Sequence, residues 1–223
     1  MYDKLQNLNN LRRNKNKGIY KQWIYYSNSD FHLACDYIQK INNSIMELNE
    51  ELLLGEFTMK NIVYIISLVD WIKDSYSKII KSLREEISRN FIFTKESELK
   101  IAKEYFVAIR SYVVAHPMNT TNHSKFGFDG DFICINLTTK DNPFMNLNDN
   151  SNFFYINYNG LHNRKNGKHH YYLRSYSNNI DNSKYYKYIS FDVVDIIKVA
   201  ELYIHAIYEL DNYLSYCKKK NMR

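Results

Sequence analysis

The residues best suited to chemistry are an arginine and a histidine at the end of a predicted helix, Arg110 and His116, with Pro117 directly after the histidine. A guanidinium can hold a phosphate through two parallel hydrogen bonds, and an imidazole changes its charge near neutral pH. On an ideal helix the two side chains would point about 120° apart. Because a proline drives the preceding residue toward an extended backbone, His116 can turn back toward the face of Arg110. The spacing therefore predicts one site in which both groups reach the same phosphate.

Cleavage of RNA without a metal ion needs these two groups and one more. A neutral imidazole can accept the proton of a ribose 2′-hydroxyl, and a cation can stabilise the crowded phosphorane, but a separate acid must protonate the leaving 5′-oxygen. Two sources of that acid remain open: His123, or the His116 of a second subunit related by two-fold symmetry. Asn119 and Thr120 either extend the site as donors to phosphate or ribose, or cap the helix end.

A second segment, residues 162–174, combines cations with aromatic side chains around an Asn-Gly pair that predicts a turn. Such a hairpin suits single-stranded RNA, with phosphates on the cations and bases on the aromatic rings, although a solvated loop accounts for the same residues. The predicted RNA-binding side chains are Arg164, Lys165, Lys168, His169, His170 and Arg174. A zinc site is a weaker alternative because no ligand spacing is diagnostic. Its ligands would be His162, His169, His170 and Cys134.

Four periodic stretches predict the helices that position these residues. The first spans 29–55, with a cap at Ser29-Asp30, and the second begins at Thr58 and continues to about residue 88. The third begins at Thr94 and is ended by Pro117. The fourth begins at Ser190 and finishes in three lysines, residues 218–220, which lie where the helix dipole is negative.

The helical period disappears between residues 118 and 189. Short aromatic and β-branched runs at 131–138, 152–158 and 169–176 predict a small antiparallel sheet of two to four strands. Four amphipathic helices with short links are best buried as a bundle. The predicted fold class is therefore mainly α: a four-helix up-down bundle with a small antiparallel β insertion between helices 3 and 4. It forms a single domain over residues 1–223, with the β-rich insertion at 118–189.

The Arg110-x5-His116 pattern at the end of the third of four helices resembles the R-x(4–6)-H motif of the HEPN superfamily. The resemblance covers residues 29–117 and 190–220. It implies a homodimer whose two motifs face each other and form one composite, metal-independent ribonuclease site without a cofactor, with Arg110 and His116 catalytic. It also implies a toxin or antiphage-defence effector that acts on RNA and has an antitoxin protein as partner.

Composition and charge limit the kinds of protein and partner that the sequence allows. Hydrophobic residues make up 45% of the 223 residues and charged residues 24%, which is typical of a folded globular chain. The net charge of +6 is concentrated at residues 1–27 and 118–188, which favours an anionic partner. No apolar stretch is long enough to cross a membrane, so a soluble cytoplasmic protein is expected. The sequence has no Walker, GxGxxG, GxSxG or HExxH motif, which disfavours nucleotide hydrolysis, dinucleotide redox chemistry, serine hydrolysis and zinc peptidase activity.

Two other functions remain open. In the first, the chain is a non-catalytic helical bundle that binds protein or nucleic acid through the β insertion, with His116 as a capping residue and Arg110 as an ion-pair partner. In the second, Arg110 holds the phosphate of a mononucleotide and the bundle acts as a nucleotide sensor. RNA cleavage in a chelator separates both alternatives from the nuclease hypothesis.

Overall fold

A computed structural model of the chain describes residues 3–12, 16–55, 57–115, 118–126, 128–139, 153–163, 171–176 and 187–219. These residues form a mainly helical protein with one small sheet, as the sequence predicts. The helices are α1 (Asn9–Arg12), α2 (Asn28–Leu53), α3 (Met59–Ser82), α4 (Glu85–Asn90), α5 (Glu96–Arg110) and α6 (Val193–Tyr216). The strands are β1 (Met118–His123), β2 (Phe128–Thr139), β3 (Phe153–Asn157), β4 (Gly160–Asn163), β5 (Tyr171–Tyr176) and β6 (Lys187–Ser190).

The chain divides into two compact units. Unit 1 comprises Met1–Glu56, Leu68–Leu99 and Ile197–Arg223, and unit 2 comprises Phe57–Ser67 and Lys100–Ile196. The sheet and the end of α5 therefore belong to unit 2, whereas the N-terminal segment and most of α6 belong to unit 1.

Helix α2 buries most of the apolar stripe that the sequence predicts, but its N-cap lies two residues earlier than the predicted Ser29. Ser27, not Ser29 or Asp30, is the N-cap, and its hydroxyl oxygen accepts the backbone N–H of Asp30 at 3.1 Å. A serine oxygen at this position satisfies one of the donors that a helix start leaves without a partner. At the other end, Gly55 follows the helix with a φ of +74°, a conformation that glycine adopts at little cost.

The second predicted helix is broken into two. Thr58 caps α3 as expected, since its hydroxyl oxygen accepts the N–H of Asn61 at 3.3 Å. The helix then ends at Ser82, where Leu83 forms an isolated antiparallel bridge with Tyr25. The next N–H, that of Arg84, donates to Ile24 O at 2.9 Å. Because these bonds come from a distant segment, the local apolar period gave no sign of the break.

Helix α6 starts and ends on residues other than those predicted. Asp192 caps its start, because its side chain accepts the N–H of Val194 at 2.9 Å. Ser190, the predicted cap, instead closes strand β6, and its hydroxyl donates to Phe154 O at 3.1 Å. At the C-terminal end, the ammonium of Lys21 donates to the carbonyls of Leu214, Ser215 and Cys217 at 2.8 to 3.0 Å. A remote lysine, which the sequence did not predict here, thus supplies a cation at the negative end of the helix dipole.

The segment before α2 is fixed to α6 by a buried carboxylate. Asp211 is 8% exposed and accepts the N–H of Ile19 at 2.8 Å. Gly18 has a φ of +51°, and a Cβ at this position would lie 2.0 Å from Asp211 Oδ1. Only glycine fits here, because any side chain would displace the carboxylate from its donor.

The sheet in unit 2 has six described strands in the order β1-β2-β5-β6-β3-β4. Its pairings are antiparallel except that of β3 with β6, which is parallel. The prediction of an antiparallel sheet with at most four strands is therefore wrong on both points. Strands β2, β3 and β5 correspond to the predicted runs. Strands β4 and β6 have only four residues each, too few to display an alternation, and β1 is almost entirely polar.

No described helix combines the length and the apolarity that crossing a membrane requires.

Candidate functional site

The end of α5 carries the arginine of the predicted motif. Buried Ala102, Phe106 and Ile109 hold this helix in unit 2, and Arg110, its last α-helical residue, is partly exposed. The chain then continues as one π-helical turn, Ser111–Ala115. Such wide turns are uncommon and frequently occur at functional sites. Because the turn accommodates an extra residue, the 120° relation calculated for an ideal helix does not apply beyond Arg110.

The π-helical turn also changes which side chain is buried. The apolar spacing of Ala102, Phe106 and Ile109 along the third predicted helix predicts that Val113 is buried. In the structure Val113 is partly exposed, and Tyr112 is 1% exposed. An apolar pattern read at 3.6 residues per turn could not locate Tyr112, because a π-helical turn shifts that period.

His116 and Pro117 lie outside the described residues, so the distance from His116 to Arg110 stays a prediction. The supporting residues Asn119 and Thr120 belong to strand β1. The sequence had left open whether they extend the site or cap the helix end. This strand pairs with β2 in an irregular register, in which Met118 faces Cys134 and Thr120 faces Gly130. Strand irregularities of this kind commonly redirect side chains beside active sites.

His123 packs against the π-helical turn that follows Arg110. It is the last residue of β1, and its imidazole packs edge-on against Tyr112, with the ring centroids 5.4 Å apart. The imidazole is half-buried, and this burial lowers the pKa of His123 below its ordinary value. Burial disfavours the charged form, so the imidazole is neutral at neutral pH. That state suits the acceptance of a proton better than the acid role suggested by the sequence.

A cation that the sequence analysis missed lies two residues after His123. Lys125 is exposed, and its ammonium lies 3.8 Å from Glu104 Oε2 and 5.4 Å from the ring centroid of Phe126. An exposed ion pair of this length contributes little stability. The amino group is therefore available to an anion near the end of β1. In the sequence, only the position of Lys125 two residues after His123 could have indicated this cation.

A buried tyrosine supports the helix that presents Arg110. Tyr105 is fully buried, and its ring packs edge-on against Tyr158 at a centroid distance of 4.9 Å. Burial, with a smaller contribution from Asp195, raises the pKa of Tyr105 well above its ordinary value. The phenol thus stays protonated at neutral pH. Tyr158 in turn donates its hydroxyl to Asp195 O at 2.7 Å. Because the phenol of Tyr105 is buried and protonated, Tyr105 has a packing role and not the role of a base.

The predicted RNA-binding hairpin differs from the observed topology. Strands β4 and β5 flank residues 164–170, but β4 pairs with β3, and β5 pairs with β2 and β6, so the two strands are not the arms of one hairpin. Arg174 lies in β5 opposite Asn136 and Tyr188 and is partly buried. The other predicted RNA-binding residues lie outside the described part of the chain: Arg164, Lys165, Lys168, His169 and His170.

Within the described ranges, no group of three or more His, Cys, Asp or Glu side chains could hold a metal ion. Of the predicted zinc ligands, Cys134 belongs to strand β2, and His162 Nε2 lies 3.0 Å from Asn157 Oδ1. His169 and His170 lie outside the description.

Comparison with known proteins adds no relative: no family model, curated protein or solved structure matches the chain.

Proposed function

We propose that the chain is a metal-independent endoribonuclease of the HEPN kind. The observation that carries this proposal is the contact between His123 and Tyr112, which lies two residues after Arg110. The contact places the imidazole of His123 against the turn that follows Arg110. General acid–base cleavage of RNA needs two proton-transferring groups, and the motif alone supplies only one of them in each subunit.

The lowered pKa of His123 suggests how the roles divide. Neutral His123 accepts the proton of the ribose 2′-hydroxyl, and the 2′-oxygen attacks phosphorus. Arg110 stabilises the negative charge of the phosphorane. His116 donates a proton to the 5′-oxygen as its bond to phosphorus breaks. The products are a 2′,3′-cyclic phosphate and a 5′-hydroxyl. In the alternative arrangement His116 is the base, and His116 of the partner subunit is the acid.

The resemblance to HEPN proteins supplies the rest of the proposal. The four long helices, α2, α3, α5 and α6, form an up-down bundle that dimerises with the two motifs facing each other. The sheet between α5 and α6 is an insertion into that bundle. The protein acts in the cytoplasm as a toxin or antiphage-defence effector, and an antitoxin protein controls it.

Cleavage of RNA by matched variants tests the proposal. Purified protein is incubated with RNA in EDTA, and the rate of product formation is measured on a gel. Arg110→Ala and His116→Ala should each reduce the rate by at least ~100-fold, because each removes an acid–base or charge-stabilising group. The control is Arg89→Ala, an exposed arginine of α4 in unit 1 that pairs with Glu85. Cleavage at the wild-type rate by both site variants ends the proposal.

A third variant distinguishes the two arrangements of acid and base. His123→Gln keeps a polar side chain of similar size but cannot accept the 2′-hydroxyl proton as an imidazole does. If His123 is the base, this variant loses activity as His116→Ala does. If its rate is unchanged, the base is His116, and the acid comes from the partner subunit.

A further inference from the structure

Unit 1 contains a second feature suited to phosphates, a cleft of about 550 Å³ beside the end of α6. This volume lies within the ~300–1,000 Å³ typical of ligand sites. None of the described residues that line the cleft is acidic. The lining residues suited to a nucleic acid are Lys21, Trp23, Tyr26, Arg84 and Lys219.

The fold uses the three cations in the cleft, Lys21, Arg84 and Lys219, to different extents. The ammonium of Lys21 already donates to three carbonyls at the end of α6, so it has no further N–H for a ligand. For this reason the helix end does not require Lys219, which is exposed and makes no ion pair or hydrogen bond within the described part of the chain. Lys219 therefore offers a free ammonium at one side of the cleft.

Arg84 is held by one edge and open at the other. Its backbone N–H donates to Ile24 O at 2.9 Å, and its Nε donates to Tyr25 O at 3.1 Å. Its two terminal nitrogens have no partner among the described residues. A guanidinium that is already oriented loses less entropy when it binds, and its free edge matches the geometry of a phosphate.

Aromatic rings complete the lining. Tyr26 is 58% exposed, although it follows the fully buried Tyr25. Trp23 is partly exposed, and the ammonium of Lys21 lies 5.8 Å from its ring centroid. Exposed aromatic rings beside cations are the arrangement on which proteins stack the bases of unpaired strands.

We propose that this cleft binds single-stranded nucleic acid, with a phosphate on Arg84 and Lys219 and a base on Tyr26. A duplex is excluded because its bases are stacked on each other and cannot lie on the tyrosine. The site is additional to the proposed catalytic residues, which belong to unit 2. A non-catalytic RNA-binding protein would also have this site, so the inference stands independently of the nuclease proposal.

The test measures binding of a fluorescent 12-nucleotide single-stranded RNA by anisotropy, with the full-length His116→Ala protein in EDTA to limit cleavage. Tyr26→Ala/Lys219→Glu should weaken binding by tenfold or more, because it removes a stacking surface and reverses a phosphate-binding charge, and it should reduce the salt dependence. Both residues are exposed, so the fold should tolerate these changes, and thermal unfolding checks this. Arg84→Lys should weaken binding less, since it retains the charge and loses the paired hydrogen bonds.

The matched control is Trp71→Ala/Lys78→Glu, which removes one exposed ring and reverses one exposed cation of unit 1 away from the cleft. This control should bind as the parent does. The inference is wrong if both double variants lose the same affinity, or if duplex RNA binds as tightly as the single strand. It is also wrong if a mononucleotide at equal concentration displaces the strand, because the cleft would then be a nucleotide site. These binding outcomes do not depend on whether the wild-type protein cleaves RNA.

Discussion

Burial shifts the pKa of single residues in both units. In unit 1, burial raises the pKa of Asp211, although the carboxylate accepts the N–H of Ile19. In unit 2, burial lowers the pKa of His123. The two shifts have opposite signs because desolvation disfavours whichever form is charged. For His123 the consequence is a neutral base, which is the form that the proposed chemistry needs.

The same shift makes folding depend on pH. The ordinary pKa of histidine is 6.5, and the folded value of His123 is lower, so the unfolded chain binds a proton more readily as pH falls through 6.5. His123 thus contributes stability above that pH and loses it as pH falls toward its folded pKa. We expect the free energy of unfolding, measured in urea, to decrease between pH 7 and pH 5 by less in His123→Gln than in wild type.

The control for this measurement is His32→Gln, which changes an exposed histidine of α2. This variant measures what the same substitution does at an exposed position. If His123→Gln loses as much stability as wild type over the same range, the imidazole is not desolvated in solution.

At the scale of elements, the end of α6 depends on a residue almost two hundred positions away. Lys21 supplies both a donor and a positive charge to carbonyls that have no partner within the helix. Lys21→Met keeps most of the aliphatic stem and removes the ammonium. We expect it to lower the free energy of unfolding by about 1–3 kcal/mol, because three carbonyls lose a charged donor.

Lys17→Met is the matched control, since the side chain of Lys17 is exposed and Lys17 lies in the same N-terminal segment. It should change stability by less than about 0.5 kcal/mol. Equal losses in the two variants would show that Lys21 does not stabilise the end of α6.

The sequence predicted the elements that rest on local signals. The helical periods correctly gave α2, α5, α6 and the start of α3, with Thr58 as its cap. The prediction from sequence missed features that depend on residues far away along the chain. The break after Ser82 is made by bonds to Ile24 and Tyr25. The parallel pairing of β3 with β6 joins strands that are separated by β4 and β5, and no local pattern encodes such a pairing.

The candidate site was predicted in the same uneven way. Arg110 and His123 could be selected from the sequence by their residue types and positions. The contact between His123 and Tyr112 could not, because it requires both the fold-back of β1 and the π-helical turn. The sequence did not indicate Arg84, because the second predicted helix continued to about residue 88 and included it. In the structure α3 ends at Ser82, and this break brings Arg84 to the cleft.

At the scale of the whole molecule, the two proposed phosphate-binding sites belong to different units. Residues 1–27 carry six Lys or Arg against one Asp, and Lys21 of this segment lines the cleft of unit 1. The proposed catalytic residues Arg110 and His123 belong to unit 2. A chain of net charge +6 attracts RNA at a distance, and this attraction weakens as salt increases. Binding and cleavage are therefore expected to be separable by mutation.

The most direct test of the central claim is the fate of one RNA and its 2′-O-methyl counterpart, each incubated with wild-type protein in EDTA. If the 2′-oxygen is the nucleophile and no metal is needed, the RNA is cut to products with a 2′,3′-cyclic phosphate and a 5′-hydroxyl, and the methylated strand stays intact. Cleavage of the methylated strand, or RNA cleavage that occurs only after Mg²⁺ is restored, would contradict the account.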